Sequence, residues 1–222
     1  MLLYEHPLSS YAQKVKIALR EKGVAFTAEL PETFGTGRSD GPFAQANPRT
    51  EVPVLIDDGV SLFESTVILE YIEETQGGKP LLPSDPYERG VVRALTKEIE
   101  LYIELPARSC FMEVFFGGKV DQAIKDKARV ELLAGVATLA RHARFAPYVA
   151  GSEMTIADLF FLYSFDLACT VAQKLFDLDL KAELPQGVAL LELLAQNPNV
   201  QQVAADRDAE MAAFMAAIRA RK

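Results

Sequence analysis

Between Gln76 and Pro86 the chain concentrates Gly77-Gly78, Pro80, Pro83 and Pro86, and no hydrophobic period survives that stretch. The segments on either side follow different rules. Upstream, short apolar runs alternate with helix-period segments. Leu2-Leu3-Tyr4 reads as a strand; from Ser10 onward Val15, Ala18, Leu19 and Lys22 recur at three- and four-residue spacing, and Gly23 follows as a stop. Val24 to Leu30 reads as a second strand, and 35–48 as loop with room for one irregular helical turn. Val52 to Ile56 is a third strand. Asp57-Asp58-Gly59 signals a tight hairpin into a fourth strand, Val60 to Phe63, and Ser65 to Glu74 is helical. Downstream of Tyr87 no alternation of period two recurs. The pattern there predicts only helices, around 87–116, 121–144, 155–176, 187–196 and 199–219. The chain therefore reads as an α/β domain over 1–78, a linker over 79–86 and an all-helical domain over 87–222.

Within the helical half, Thr155 and Asp158 stand as a capping box with Met154 and Leu159 as its staple, and Arg219, Arg221 and Lys222 complement the dipole of the last helix. Composition narrows the function classes. With 23 basic against 31 acidic side chains and a net charge of -8, the chain lacks the electrostatic footprint that a nucleic-acid backbone requires. Residues 1–82 hold 7 basic against 12 acidic side chains, so the first domain is the more acidic. There is no run of 18 or more apolar residues and no basic leader before an apolar stretch, so neither a membrane span nor a secretory signal is expected. Cys110 and Cys169, far apart inside helical segments, suit buried thiols in a reducing cytoplasm better than a disulfide. His6 and His142 are too far apart to argue for a metal site or a base, and no metal is expected.

Two junctions carry candidate chemistry. Ser9 and Ser10 lie between the first strand and the first helix, where a hydroxyl either caps the helix or, near the positive end of the macrodipole, stabilises an anion such as a thiolate. Position alone leaves both readings open. Glu64-Ser65 joins the fourth strand to its helix; Ser65 is a plausible N-cap and Glu64 a solvated acid. The same pair offers a carboxylate to an ammonium group and a hydroxyl with helix-terminal N–H groups to a carboxylate, which suits an amino-acid head. Pro53 cannot donate to a ladder, so it marks a strand start, an edge or a cis turn.

Three ordered segments, Ser9-Ser10-Tyr11-Ala12-Gln13-Lys14-Val15, then Asn47-Pro48-Arg49-Thr50-Glu51-Val52-Pro53-Val54-Leu55, then Phe63-Glu64-Ser65-Thr66-Val67-Ile68, together resemble the cytosolic glutathione S-transferase superfamily. The resemblance spans essentially the whole chain. It implies a thioredoxin-like α/β first domain with a mixed sheet and an all-α second domain. It also implies a cis Pro53 with the Val52 backbone pairing to the cysteinyl part of glutathione, Glu64 and Ser65 gripping the γ-glutamyl end, and Ser9, with Ser10 as second candidate, donating to the glutathione thiolate. The tyrosine classes would place their phenol where Glu5 stands, and Tyr4 points to the opposite face. Neither Ser9 nor Ser10 is the cysteine that thiol–disulfide exchange would need. One departure is Thr50-Glu51 before the V-P pair, where many members carry Lys, Gln or His for the glycyl carboxylate. Arg49 or Arg38 is the candidate for that end, with a solvated surface arginine as the competing reading of each.

The implied activity is a glutathione transferase that conjugates the thiolate to a small hydrophobic electrophile. Isomerase, dehalogenase or peroxidase chemistry on the same scaffold is the alternative, as is a non-catalytic partner-binding member. The electrophile pocket is expected around Tyr102, Cys110, Phe111, Met112, Phe115 and Phe116, with core packing as the competing reading of the same side chains. A cytoplasmic homodimer with glutathione as cosubstrate completes the set of expectations.

Overall fold

The computed structural model describes residues 1–34, 36 and 40–220, and for 212–220 the backbone alone. Arg38, Arg221 and Lys222 lie outside the described residues, as does the side chain of Arg219. The described chain divides into two compact units, Met1–Pro80 with Gln196–Lys222, and Leu81–Ala195.

The first unit contains β1 (Leu2–Tyr4), α1 (Ser10–Glu21), β2 (Thr27–Glu29), α2 (Pro42–Ala46), β3 (Val54–Asp57), β4 (Val60–Phe63) and α3 (Ser65–Thr75). The strands form one mixed sheet in the order β2-β1-β3-β4, with β1 parallel to β2 and the other two pairs antiparallel. This is the thioredoxin-like arrangement, with α2 as the irregular turn foreseen in the long loop. Leu3, Val15, Leu19, Val54, Leu55 and Ile68 are wholly buried and form the core between sheet and helices. Asp58 and Gly59 both take positive φ, as the two-residue hairpin between Asp57 and Val60 demands. Gly78 has a second reason to be glycine: at φ +89 an added Cβ would sit 2.4 Å from the Lys22 carbonyl oxygen. The β2 ladder is shorter than Val24 to Leu30, and its three residues are exposed, so burial did not shape its pattern.

The second unit is helical: α4 (Pro86–Ile99), a π-helical turn (Glu100–Glu104), α5 (Leu105–Ser109), α6 (Phe111–Phe116), α7 (Gln122–His142), α8 (Ile156–Phe176), α9 (Leu180–Glu183) and α10 (Pro185–Leu194). The single helix expected over 87–116 is therefore interrupted, and a proline accounts for the first break. Pro106 has no N–H to give the Tyr102 carbonyl, so the turn widens and Leu105 N–H bonds back to Glu100 instead. The released Tyr102 carbonyl lies against Gly135 of α7. Cys110, with φ -101 and ψ 1, makes the second break.

The helix α8 is the centre of this unit. Its start is the reciprocal capping box of Thr155 and Asp158. α8 holds no uninterrupted apolar run of 18, and although its length and composition would suffice to cross a membrane, 61% of its apolar window is buried inside the protein, as in a core helix.

The last helix, α11 (Pro198–Ala220), belongs to the first unit and not to the helical one. Local polar contacts explain this departure. Glu21 at the end of α1 accepts from Asn197 and Asn199 at 2.7 and 2.8 Å, and Arg20 reaches Asp206 at 3.3 Å. Such pairings link residues far apart in sequence and leave no periodic trace.

Candidate active site

The sheet register gathers the candidate residues at one end of the first unit. Tyr4, the last residue of β1, pairs with Val54, the first of β3, and Val54 pairs with Phe63, the last of β4. The chain therefore leaves β1 toward Ser9, enters β3 from Pro53 and leaves β4 into Glu64-Ser65, all at the same sheet edge. Two helices, α1 and α3, begin there.

Ser9 is the N-cap of α1, and its Oγ accepts from Ala12 N–H at 3.3 Å. The loop that delivers it is held at each step. Ser9 N–H donates to the His6 carbonyl at 2.8 Å, Leu8 N–H to His6 Nδ1 at 3.1 Å, and Gln13 Nε2 to the Pro7 carbonyl at 2.7 Å. Capping and anion binding are compatible, because an Oγ that accepts from a backbone N–H keeps its own proton to donate. The first turn of α1 carries no acidic side chain to offset the helix dipole. Ser10 is the first helical residue, one step behind the cap. Gln13 was not singled out by the sequence, although a polar residue on an otherwise buried helix face was the available signal.

The Val52–Pro53 bond is cis. The loop before it is braced by Asn47, a buried side chain whose Nδ2 donates to the Glu51 carbonyl at 2.9 Å and whose Oδ1 accepts from Arg49 N–H at 3.1 Å. Asn47 sits inside a quoted motif, but its bracing role is legible only in three dimensions. Arg49 and Glu51 are exposed. Glu64 occupies φ 68, ψ 115, a region that strains a side-chain-bearing residue by about 1–3 kcal/mol. The strain persists because Phe63 is fixed in the β4 ladder and the Glu64 carbonyl already accepts the first α3 bond, from Ile68 N–H at 3.0 Å. Its carboxylate makes no capping bond and stands exposed beside buried Ser65.

Glu5, at the position a catalytic phenol would occupy, is buried and paired with Lys16 at 2.7 Å. Tyr4 packs edge-on against Phe43. His6 stacks near Phe34, and burial, opposed by the Glu5 charge, lowers its pKa; His142 is exposed and meets Glu98 at 2.9 Å. Among the described residues no group of three His, Cys, Asp or Glu side chains is placed to hold a metal.

In the second unit, Phe111 packs against Phe115 and Phe116 with centroids 4.8 and 5.4 Å away. Arg108 lies over the Phe111 ring and Lys174 over Phe115. Tyr102, Met112, Phe115 and Phe116 are exposed, which sets them apart from core packing and makes an aromatic patch available to a ligand. The Arg108 guanidinium is fixed by buried Glu104 at 2.7 Å, which in turn accepts from Ser164 Oγ at 2.6 Å. Cys110 and Cys169 are buried free thiols whose pKa burial pushes up, Cys169 to about 12, so neither is a nucleophile at neutral pH.

Residues 3–80 match the family model described as glutathione S-transferase, N-terminal domain. The chain is 50% identical over 220 residues to a glutathione S-transferase of Pseudomonas putida strain F1, covering 99% of this chain and 98% of that protein. Among solved structures, a glutathione S-transferase III in apo form superposes with a TM-score of 0.73 at 26% identity, over 92% of this chain and 95% of the other. A maleylacetoacetate isomerase from Methylobacterium extorquens AM1 with bound malonate and glutathione gives a TM-score of 0.70 at 26% identity, over 91% of this chain and 95% of that one.

Proposed function

We propose, since this chain belongs to the glutathione S-transferase family, that it binds glutathione at the sheet end where Ser9, cis-Pro53 and Glu64-Ser65 converge, and transfers its sulfur to a small hydrophobic electrophile. The observation that carries the reading is the register Tyr4–Val54–Phe63, which brings a capping hydroxyl, an irregular strand start and an exposed carboxylate to one edge. Ser9 Oγ donates to the sulfur, and the α1 N-terminus adds its field. Lowering a free thiol from about 8.5 by two pH units requires roughly 2.7 kcal/mol of preference for the thiolate. A hydrogen bond to a charged sulfur and a helix terminus supply that order of magnitude. The thiolate then attacks the electrophilic carbon, and the leaving group departs with the bonding pair or, in an addition, the adjacent carbon accepts a proton.

Glu64 meets the γ-glutamyl ammonium and Ser65 with the α3 N-terminus its carboxylate. The backbone of Val52 pairs with the cysteinyl unit, and exposed Arg49 serves the glycyl end. Tyr102, Phe111 and Phe115 receive the electrophile. We place the protein in the cytoplasm as a homodimer, with glutathione as cosubstrate and no metal. Exposed Val60, Phe63 and Val67 on the first unit supply an apolar surface suited to a second subunit. The likeness to a glutathione-bound isomerase favours one second reading, in which the same thiolate adds reversibly to an unsaturated substrate.

Calorimetric titration of glutathione into wild type, Ser9→Ala, Ser10→Ala and Glu64→Ala, beside conjugation of a chloronitroarene, tests the proposal. Glu64→Ala should weaken binding strongly, and Ser9→Ala should slow turnover more than Ser10→Ala. Absence of both binding at millimolar glutathione and turnover in wild type would overturn it.

A further inference from the structure

The first unit contains a cavity in which Ser9 takes no part. On α1, Lys16 and Arg20 stand one turn apart on the face that meets the end of β1, the 24–30 segment and α11. Together these elements border an open cleft of about 630 Å³, within the range of small-molecule sites. Its walls are mixed. Pro7, Phe26 and Leu30 are apolar, and Leu30 is 57% exposed. The charged wall comprises Glu5, Lys16, Arg20, Asp206 and Glu210.

Two polar atoms in that wall lack a partner among the described residues. Glu5 is only 3% exposed; its Oε1 accepts from Lys16 Nζ at 2.7 Å, while its Oε2 is buried with no donor. Arg20 uses Nη2 on Asp206 at 3.3 Å, while its Nε is buried with no acceptor. Buried polar groups are nearly always satisfied, so an unpaired acceptor and an unpaired donor on two side chains that line one cleft mark it as a candidate for a ligand's polar groups. The charge balance gives the sign, since three carboxylates face two cations: Lys16 pairs with Glu5 and Arg20 with Asp206, which leaves Glu210 in excess. Burial, and then the charge of Glu5, raises the Glu210 carboxyl pKa, a cost that a cation between the two acids would remove. A hard metal ion is a poor fit, because Lys16 and Arg20 share the wall and a metal would want several oxygen ligands.

We propose that this cavity is a second ligand site, which takes a small aralkylamine: its ammonium donates to Glu5 Oε2 and Glu210, its apolar body lies against Pro7, Phe26 and Leu30, and a hydroxyl on it accepts from Arg20 Nε. The site is independent of Ser9 and of glutathione.

The test is calorimetric titration of phenylethanolamine, phenethylamine and phenylacetate into the full chain. Phenylethanolamine should bind with a Kd below about 1 mM, phenethylamine several-fold more weakly for want of the hydroxyl, and phenylacetate not measurably. Glu210 is exposed, so Glu210→Gln should weaken phenylethanolamine by roughly two- to fivefold. Glu5→Gln alone strands the Lys16 ammonium, so Glu5→Gln/Lys16→Met is the paired variant, with its melting curve checked first; it should abolish amine binding, while Ser9→Ala leaves it intact. Phenylacetate binding as well as the amines, no amine binding at about 10 mM, or amine binding unchanged in both cavity variants would each overturn the proposal.

Discussion

Asp158→Ala is the perturbation whose size the structure specifies best. Asp158 is wholly buried, its Oδ1 accepts from Val149 N–H at 2.8 Å, and its Oδ2 accepts from Thr155 N–H at 2.7 Å and Thr155 Oγ1 at 3.0 Å. Alanine leaves two buried N–H groups without an acceptor, at about 2 kcal/mol each, and takes the acceptor from the Thr155 hydroxyl, at about 1 kcal/mol. Against this, burial pushes the Asp158 carboxyl from 3.8 up to about 6, opposed by those same donors, and ionising it at neutral pH therefore costs about 3 kcal/mol that alanine avoids. The net loss near neutrality is about 2 kcal/mol, or about 4–8 °C in Tm for a chain of this size. The sign of the pH dependence follows from the raised value. The contribution of Asp158 to folding is full below 3.8 and is lost as pH rises through about 6, so the gap between wild type and variant should widen by about 1 kcal/mol from pH 7 to pH 5. Urea unfolding followed by circular dichroism at both pH values measures this. A gap under about 0.5 kcal/mol at neutrality, or one that narrows toward acid, would contradict this role for Asp158.

Other outcomes rest on different contacts. Burial raises the Glu21 carboxyl, but donors from Asn199, Asn197 and Lys79 outweigh it and hold the pKa below 4.5; this junction of α1 with α11 is thus stabilised above 4.5 and loses that stabilisation as pH falls through the depressed value, and the protection factors of amides across the first turns of α11, corrected for intrinsic exchange, should fall there in wild type and stay level in Glu21→Gln. Gly135→Ala places a Cβ 2.2 Å from the Tyr102 carbonyl oxygen, so it should cost about 2 kcal/mol or more in urea unfolding as α7 shifts off the π-helical turn. Glu64→Gly should raise stability by about 1 kcal/mol, by relieving φ 68, while glutathione affinity falls.

What could be read in the sequence was whatever is local. The hairpin at Asp58-Gly59, the capping box at Thr155 and Asp158, and the cap at Ser9 each need only a few neighbouring residues, and each stands where the pattern put it; at the other strand-to-helix junction the N-cap is Glu64, and Ser65, read as the cap, is the first helical residue. The departures are all consequences of tertiary pairing. The last helix joins the first unit because Asn197, Asn199 and Asp206 meet Glu21 and Arg20, about 180 positions earlier in the chain, a pairing that no hydrophobic period encodes. The break in the long helix was visible as Pro106, but its form depended on a carbonyl finding Gly135. The candidate site was legible in its residue types and not in its supports, since Gln13 and Asn47 act through bonds to carbonyls whose positions only the fold sets.

Ultraviolet titration of the thiolate of bound glutathione shows directly whether Ser9 holds the sulfur as a thiolate. In wild type the bound thiol should ionise near pH 6.5, about two pH units below free glutathione, and in Ser9→Ala it should return most of the way toward about 8.5, with binding itself little changed. A bound thiol that ionises like free glutathione in wild type, or one whose pKa does not move when Ser9 is replaced, would contradict that role.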